Sequence, residues 1–163
     1  MSPRDPATTC IGVISDTHGL LRPEALQTLA GVDLIVHAGD IGGIEVLERL
    51  GALAPVTAVR GNTDLGEELR HLPQTAVVQV EDFSLYLLHD LQQLDLDPAA
   101  AGFRAVITGH THFPRARRRD GVLYLNPGSA GRKRFDSPAT LALLRIRDGQ
   151  PEVEFVDLEK PLK

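Results

Sequence analysis

Seven side chains able to give a lone pair to a metal ion fall in short, similar units: Asp16-Thr17-His18, Gly39-Asp40, Gly61-Asn62, His89 and Gly109-His110-Thr111-His112. Two carboxylates, one amide and four imidazoles make a mixed oxygen and nitrogen set that suits Mn, Fe, Ni or Zn. The set is large enough for two ions sharing one ligand. Asp16 and His18, like His110 and His112, are two residues apart, and on extended backbone such residues share a face. Either pair alone is a weak signal, because a histidine near a strand end is more often simply hydrogen-bonded. Repetition of the pattern along the chain gives it weight. His37 and His71 complete the six histidines and read as structural. His37, three residues before Asp40, is a candidate donor to the ligands.

The elements that would position these residues alternate. Cys10–Ser15 is an apolar run opening into Asp16, Pro23–Leu29 has helical spacing, and Leu34–His37 is a second strand that stops before Asp40. Ile44–Leu53 carries apolar residues on one side only, and Val56–Val59 is a third strand ending before Asn62. Strand-helix alternation implies right-handed crossovers and a parallel sheet, whose carboxyl edge is where ligands bind. Asp16, Asp40 and Asn62 would therefore converge on one edge. The rest reads as more antiparallel. Strands are expected at Ala76–Val80, Phe83–Leu88, Ala105–Thr108, Arg115–Arg119 and Val122–Asn126, with a short helix over Asp97–Gly102. A last hairpin joins Thr140–Arg147 to Glu152–Val156 through Asp148-Gly149. The expectation is one domain over residues 1–163, with two facing sheets and helices outside.

A chain of 163 residues buries roughly 70% of its unfolded surface and needs no staples. Cys10 is the only cysteine and reads as a small buried packing residue. Hydrophobic content of 42% with 24% charged residues is ordinary for a globular chain, and no apolar run approaches the ~20 residues that span a bilayer. Met1–Thr9 lacks the apolar core of a secretory signal, so the expected location is cytoplasmic and no membrane partner is expected. The net charge of −5 argues against general nucleic-acid binding. Arg115–Arg119 reads as a strand with arginines on both faces in water. Arg132-Lys133-Arg134 reads equally as solvated or as attracting a phosphate. Asn126-Pro127-Gly128-Ser129 is either an ordinary turn or a cradle of amides for a phosphate. Nothing decides between a monomer and a homo-oligomer.

The ordered series Asp16-x-His18, Gly39-Asp40, Gly61-Asn62-x-Asp64, His89, Gly109-His110-Thr111-His112 and Asn126-Pro127-Gly128-Ser129 resembles the calcineurin-like metallophosphoesterases. Its length and its Gly-Asn-x-Asp form look most like the small YfcE-type phosphodiesterases. The resemblance implies an α/β, four-layer αββα sandwich of two mixed sheets with outer helices. It also implies two divalent ions, Mn foremost, with Fe, Ni, Zn and Co as alternatives. One ion would be held by Asp16, His18, Asp40 and His112, and the second by Asp40, Asn62, His89 and His110. The implied reaction is hydrolysis of a small phosphate ester by a metal-bridging hydroxide, with Asp16, Asp40, Asn62 and His110 in catalytic roles. Two positions depart from the family. Thr63 replaces an imidazole thought to protonate the leaving group, and a hydroxyl is too weak an acid to do so. Asp90 stands where relatives have glycine. The same resemblance implies an alternative, an interaction scaffold of the Vps29 kind, which shares the fold without a complete ligand set.

Overall fold

The apolar run from Cys10 lies in strand β1 (Thr8–Ile14), and its continuous hydrophobicity follows from its central place, covered on both faces. The structure, a computed structural model, describes residues 7–132 and 137–160. The chain continues through α1 (Pro23–Leu29), β2 (Leu34–His37), α2 (Ile44–Gly51) and β3 (Val56–Ala58). There follow β4 (Thr75–Val80), β5 (Phe83–Leu88), β6 (Ala105–Ile107), β7 (Arg115–Arg119), β8 (Val122–Asn126), β9 (Thr140–Arg147) and β10 (Gln150–Asp157). One sheet has the order β10-β9-β1-β2-β3 and the other β4-β5-β6-β8-β7. The fold is the expected α/β sandwich of two mixed sheets.

In the first sheet β1, β2 and β3 are parallel, and β9 and β10 close it antiparallel. The second sheet differs from the sequence expectation. Its centre, β5-β6-β8, is parallel, and only its edges β4 and β7 are antiparallel. Short strands of three residues hide this, because β6 alone carries too few positions to show what it pairs with. The consequence is functional. Like β1, β2 and β3, strands β5 and β6 deliver the chain to one edge, so two sets of strand ends can meet.

Alternate residues of the strands build three apolar layers. Ile11, Val13 and Val36 of the first sheet pack against Leu85, Leu87, Ile107 and Leu125 of the second, all fully or almost fully buried. On the other face of the first sheet Ile14 and Ile35 meet Ala25 and Leu29 of α1 and Val46 and Leu50 of α2. Helix α2 places Glu45 in its first turn and Arg49 in its last, as the helix dipole favours. Its helical hydrogen bonding tightens beyond Gly51, where Leu53 N–H bonds to Leu50 O, so it ends short of the expected Leu53. Burial of Leu50 is the main tie of α2, and Leu50→Ala would cost about 2–5 kcal/mol.

The outer layer over the second sheet is thinner than the sequence suggests. Tyr86, Leu88, Val106 and Val122 are covered by Leu94, Leu96 and Phe103 of an irregular segment. The helix expected over Asp97–Gly102 is a set of turns: Asp97 Oδ1 accepts from the N–H groups of Ala99 and Ala100. The one helical turn there is a 3-10 turn at Leu91–Gln93, started by Asp90, whose Oδ1 accepts from Gln92 N–H. Cys10 is half-buried rather than fully buried. Among the described residues no helix is long and apolar enough to cross a membrane.

Candidate metal centre

The residues expected at the site come together at the carboxyl edge of both sheets. Asp16 and His18 follow β1, Asp40 follows β2, Asn62 follows β3, His89 follows β5, and His110 and His112 follow β6. They form two groups, Asp16 with His18 and His112, and Asp40 with His89 and His110, whose ligand atoms lie within 4.8 Å of one another in each group. Asp40 faces both groups: its Oδ2 is 3.8 Å from His18 Nε2 and 3.3 Å from His89 Nε2.

The backbone that achieves this is not the extended one expected. Asp16, His18, Asp40, His110 and His112 all have φ between 47° and 72°, a left-handed region that costs a non-glycine residue roughly 1–3 kcal/mol. The two members of each pair therefore converge through tight loops, not by sharing a strand face. Glycine allows the loops to touch. At Gly39 (φ 102°) a side chain would lie 2.7 Å from His89 Nδ1 and 2.9 Å from Gly61 N, and at Gly109 it would lie 2.6 Å from Asp16 Oδ2.

Hydrogen bonds aim the free lone pairs inward. Asp16 Oδ2 accepts from Ser15 Oγ at 2.6 Å and from His110 N–H at 3.1 Å. Its Oδ1 is buried without a hydrogen bond, 3.2 Å from His112 Nε2 and 3.8 Å from His18 Nε2. His89 Nδ1 donates to Ala38 O at 2.7 Å, which turns the Nε2 lone pair toward Asp40 Oδ2 and toward Asn62 Oδ1, 2.9 Å away. Asn62 Oδ1 is also 3.1 Å from His110 Nδ1. Three acceptors around one point need a proton or a cation between them. Burial pushes the carboxyls of Asp16 and Asp40 up, but neighbouring imidazoles and N–H or O–H donors outweigh it, so both are lowered and ionised at neutral pH. For His89 burial favours the neutral ring, and the carboxylates of Asp40 and Asp16 outweigh that and raise its pKa. The donors fit divalent ions: an orphaned buried carboxylate oxygen, ionised carboxylates and four imidazoles, of which His89 is oriented from behind by Ala38 O.

Four further residues, Asp64, His37, Asn126 and Ser129, brace the loops. Asp64 is buried and its carboxylate accepts from the N–H groups of Ile41, Gly42 and Gly61 at 2.9–3.2 Å, tying the Asp40 loop to the Asn62 loop. His37 touches no ligand side chain through its hydrogen bonds. Its Nδ1 accepts from Gly39 N–H and its Nε2 lies 3.0 Å from Thr17 Oγ1, which donates to Ile41 O. The Thr17 hydroxyl proton is thus used, so His37 Nε2 must carry the hydrogen. Asn126 Nδ2 donates to Gly109 O and Thr111 Oγ1, its Oδ1 accepts from Gly128 N–H, and Ser129 Oγ donates to Asp16 O. The Asn-Pro-Gly-Ser unit is a buried brace, with the Gly128 amide already occupied. His71 is exposed and belongs to neither group. Arg132 is exposed, while Lys133 and Arg134 lie outside the described residues.

Residues 10–149 match the model of the calcineurin-like phosphoesterase superfamily domain. The chain belongs to the calcineurin-like phosphoesterase superfamily. A probable metallophosphoesterase of Methanothermobacter thermautotrophicus is 36% identical over 93% of this chain and 94% of its own. The phosphodiesterase YfcE of Escherichia coli is 32% identical over 80% of this chain and 84% of its own. Among solved structures, a single-mutant Vps29 from Entamoeba histolytica superposes with a TM-score of 0.72 at 26% identity, covering 91% of this chain and 99% of the other. Membership makes the phosphoesterase a hydrolase of the metal-using kind, and the structure carries two groups of side chains that could hold a divalent ion.

Proposed function

We propose that this phosphoesterase is a phosphodiesterase that hydrolyses small phosphate esters at a dinuclear site. Asp16, His18 and His112 would hold one ion, Asn62, His89 and His110 the other, and Asp40 both. The observation that carries this reading is the position of Asp40 Oδ2 between His18 and His89, with unshared lone pairs of both groups turned toward it. Bound there, divalent ions supply positive charge to the phosphoryl oxygens and acidify water into a nucleophile near neutral pH.

The chain's own residues divide the remaining work. Asp16 and Asp40 are buried and held by hydrogen bonds from Ser15, His110 and Thr63, so they fix the geometry from below. His110 and Asn62 are exposed and form the solvent side where a phosphate arrives. Thr63 is exposed beside them, and its N–H donates to Asp40 Oδ1 at 2.9 Å. No imidazole stands at that position to protonate a departing oxygen, so esters with stable leaving anions should react fastest. The scaffold reading, favoured by the likeness to Vps29, requires no turnover.

Two measurements on protein purified without chelator separate the readings: metal content by mass spectrometry, and hydrolysis of bis(4-nitrophenyl) phosphate with Mn supplied. About two ions per chain together with metal-dependent release of 4-nitrophenolate are expected. Turnover that persists after complete chelation, or none with metal bound, would overturn the phosphodiesterase reading.

A further inference from the structure

Two cavities of about 420 and 450 Å³ flank the site, and they meet at Asp90. The first opens beside Asn62 and His89 and is lined mainly by polar groups. The second opens beside His110 and runs out over the outer face of the second sheet. Its walls include Phe113, 60% exposed, and Tyr124, together with Arg115 and Arg117. The register explains the grouping. Arg117 stands opposite Tyr124 on the paired strands β7 and β8, and Arg115 opposite Asn126, so both arginines share the face of Tyr124. Arg118 points the other way and donates to Pro151 O. Arg115 and Arg117 are exposed to water, as the sequence leads one to expect, and they also line the cavity that begins at His110.

Neither the Arg115 nor the Arg117 guanidinium has a carboxylate or hydrogen-bond partner among the described residues, whereas Arg119 pairs with Asp120 and Arg145 with Glu154. Two unshared guanidiniums beside two aromatic rings recognise a planar group that carries negative charge. Asp90, which borders both cavities, repels an anion near it and so favours one placed beside the arginines. We infer that the second cavity binds one ester arm of the substrate, and that this arm combines a planar ring with a negative charge of its own, as a nucleotide-like arm does. The inference rests on the phosphodiesterase reading and adds the substrate class.

The test uses two diesters with the same 4-nitrophenyl leaving group, one whose second arm is phenyl and one whose second arm is 4-carboxyphenyl. Wild type should prefer the carboxylate diester by roughly tenfold in kcat/KM, through a lower KM. In the double variant Arg115→Gln/Arg117→Gln that preference should fall to within about twofold. Arg119→Gln, which removes the same kind of charge outside the cavity, should keep it. Phe113→Ala should raise KM for both diesters. No preference in wild type, or one that survives loss of both arginines, would overturn the inference. If neither diester is hydrolysed, the phosphodiesterase reading has failed, and calorimetry with 4-carboxyphenyl phosphate decides the cavity alone. Binding weakened roughly tenfold in the double variant sustains the assignment, and equal or absent binding rejects it.

Discussion

Asp40 shows how much one residue's surroundings decide. Its Oδ1 accepts from the N–H of Thr63, while Oδ2 faces His18 on one side and His89 on the other. Asp40→Asn keeps the shape and removes the charge that both groups share, so it should lower turnover by ~100-fold or more and weaken both ions. His18→Ala removes a ligand from one group alone and should leave one ion tightly held. Metal stoichiometry and turnover of the two variants check this, and a fully loaded, active Asp40→Asn protein would refute the shared role. Thr63 gives a second test at this scale. With chemistry limiting, rates across a series of aryl and alkyl diesters should fall steeply as leaving-group pKa rises, and Thr63→His should flatten the slope where its imidazole reaches the leaving oxygen. The gain should be largest for poor leaving groups, up to ~10²–10⁴-fold. That these lone-pair side chains gather at one edge was legible because they recur after apolar runs. Their conformation was not, since spacing of two suggests an extended strand, and the positive φ of Asp16, His18, His110 and His112 depends on contacts made by distant loops.

Between elements, the loops are held by residues that belong to neither candidate metal-binding group. Asp64 accepts three backbone N–H groups from two loops and is buried. Asp64→Ala would leave those donors without partners at a cost of about 2–4 kcal/mol, reducing stability and metal affinity together; chemical denaturation of metal-free protein measures the first part. His37 gives the pH dependence of the same tie. Burial is the main cause that lowers its pKa from 6.5 to about 4, with the carboxylates of Asp16 and Asp64 opposing. The unfolded chain therefore binds the proton more readily, so this stability is complete above pH 6.5 and is lost as pH falls toward 4. The difference is about 3 kcal/mol at most. The denaturation midpoint of metal-free protein should fall over that window, and His37→Gln should flatten the fall. An unchanged slope in His37→Gln would place the titration elsewhere. The sequence signals covered the first sheet better than the second. Strands β1 to β3 alternate with helices and so announce their parallel order, whereas the parallel centre β5-β6-β8 is joined through irregular segments and the edge strand β7, which carry no such period.

At the scale of the molecule, the two ligand groups join the two sheets. Asp16, His18, Asp40 and Asn62 extend from the first sheet, and His89, His110 and His112 from the second. The apolar layer between the sheets already holds them together through Ile11, Val13, Val36, Leu85, Leu87 and Ile107. Ions at the edge would add a second tie, one that exists only in the folded chain because unfolding separates the two sets of ligands. Linkage then sets the size of the effect: a ligand at 100 times its Kd stabilises by about 2.7 kcal/mol per site. Metal-free protein should also relieve the left-handed strain at Asp16, Asp40 and His110 more readily, because hydrogen bonds such as His110 N–H to Asp16 and His89 Nδ1 to Ala38 O then hold the two edges without help from an ion. Adding Mn to chelated protein should thus raise the denaturation midpoint in proportion to the logarithm of metal concentration. It should also slow amide exchange in the loops after β1, β2, β5 and β6 more than in α1 and α2. His89→Ala combined with His18→Ala removes a ligand from each group and should reduce both effects sharply while leaving the apolar layer intact. If Mn stabilises that double variant as strongly as wild type, the ions bind somewhere other than the edge where the sheets meet.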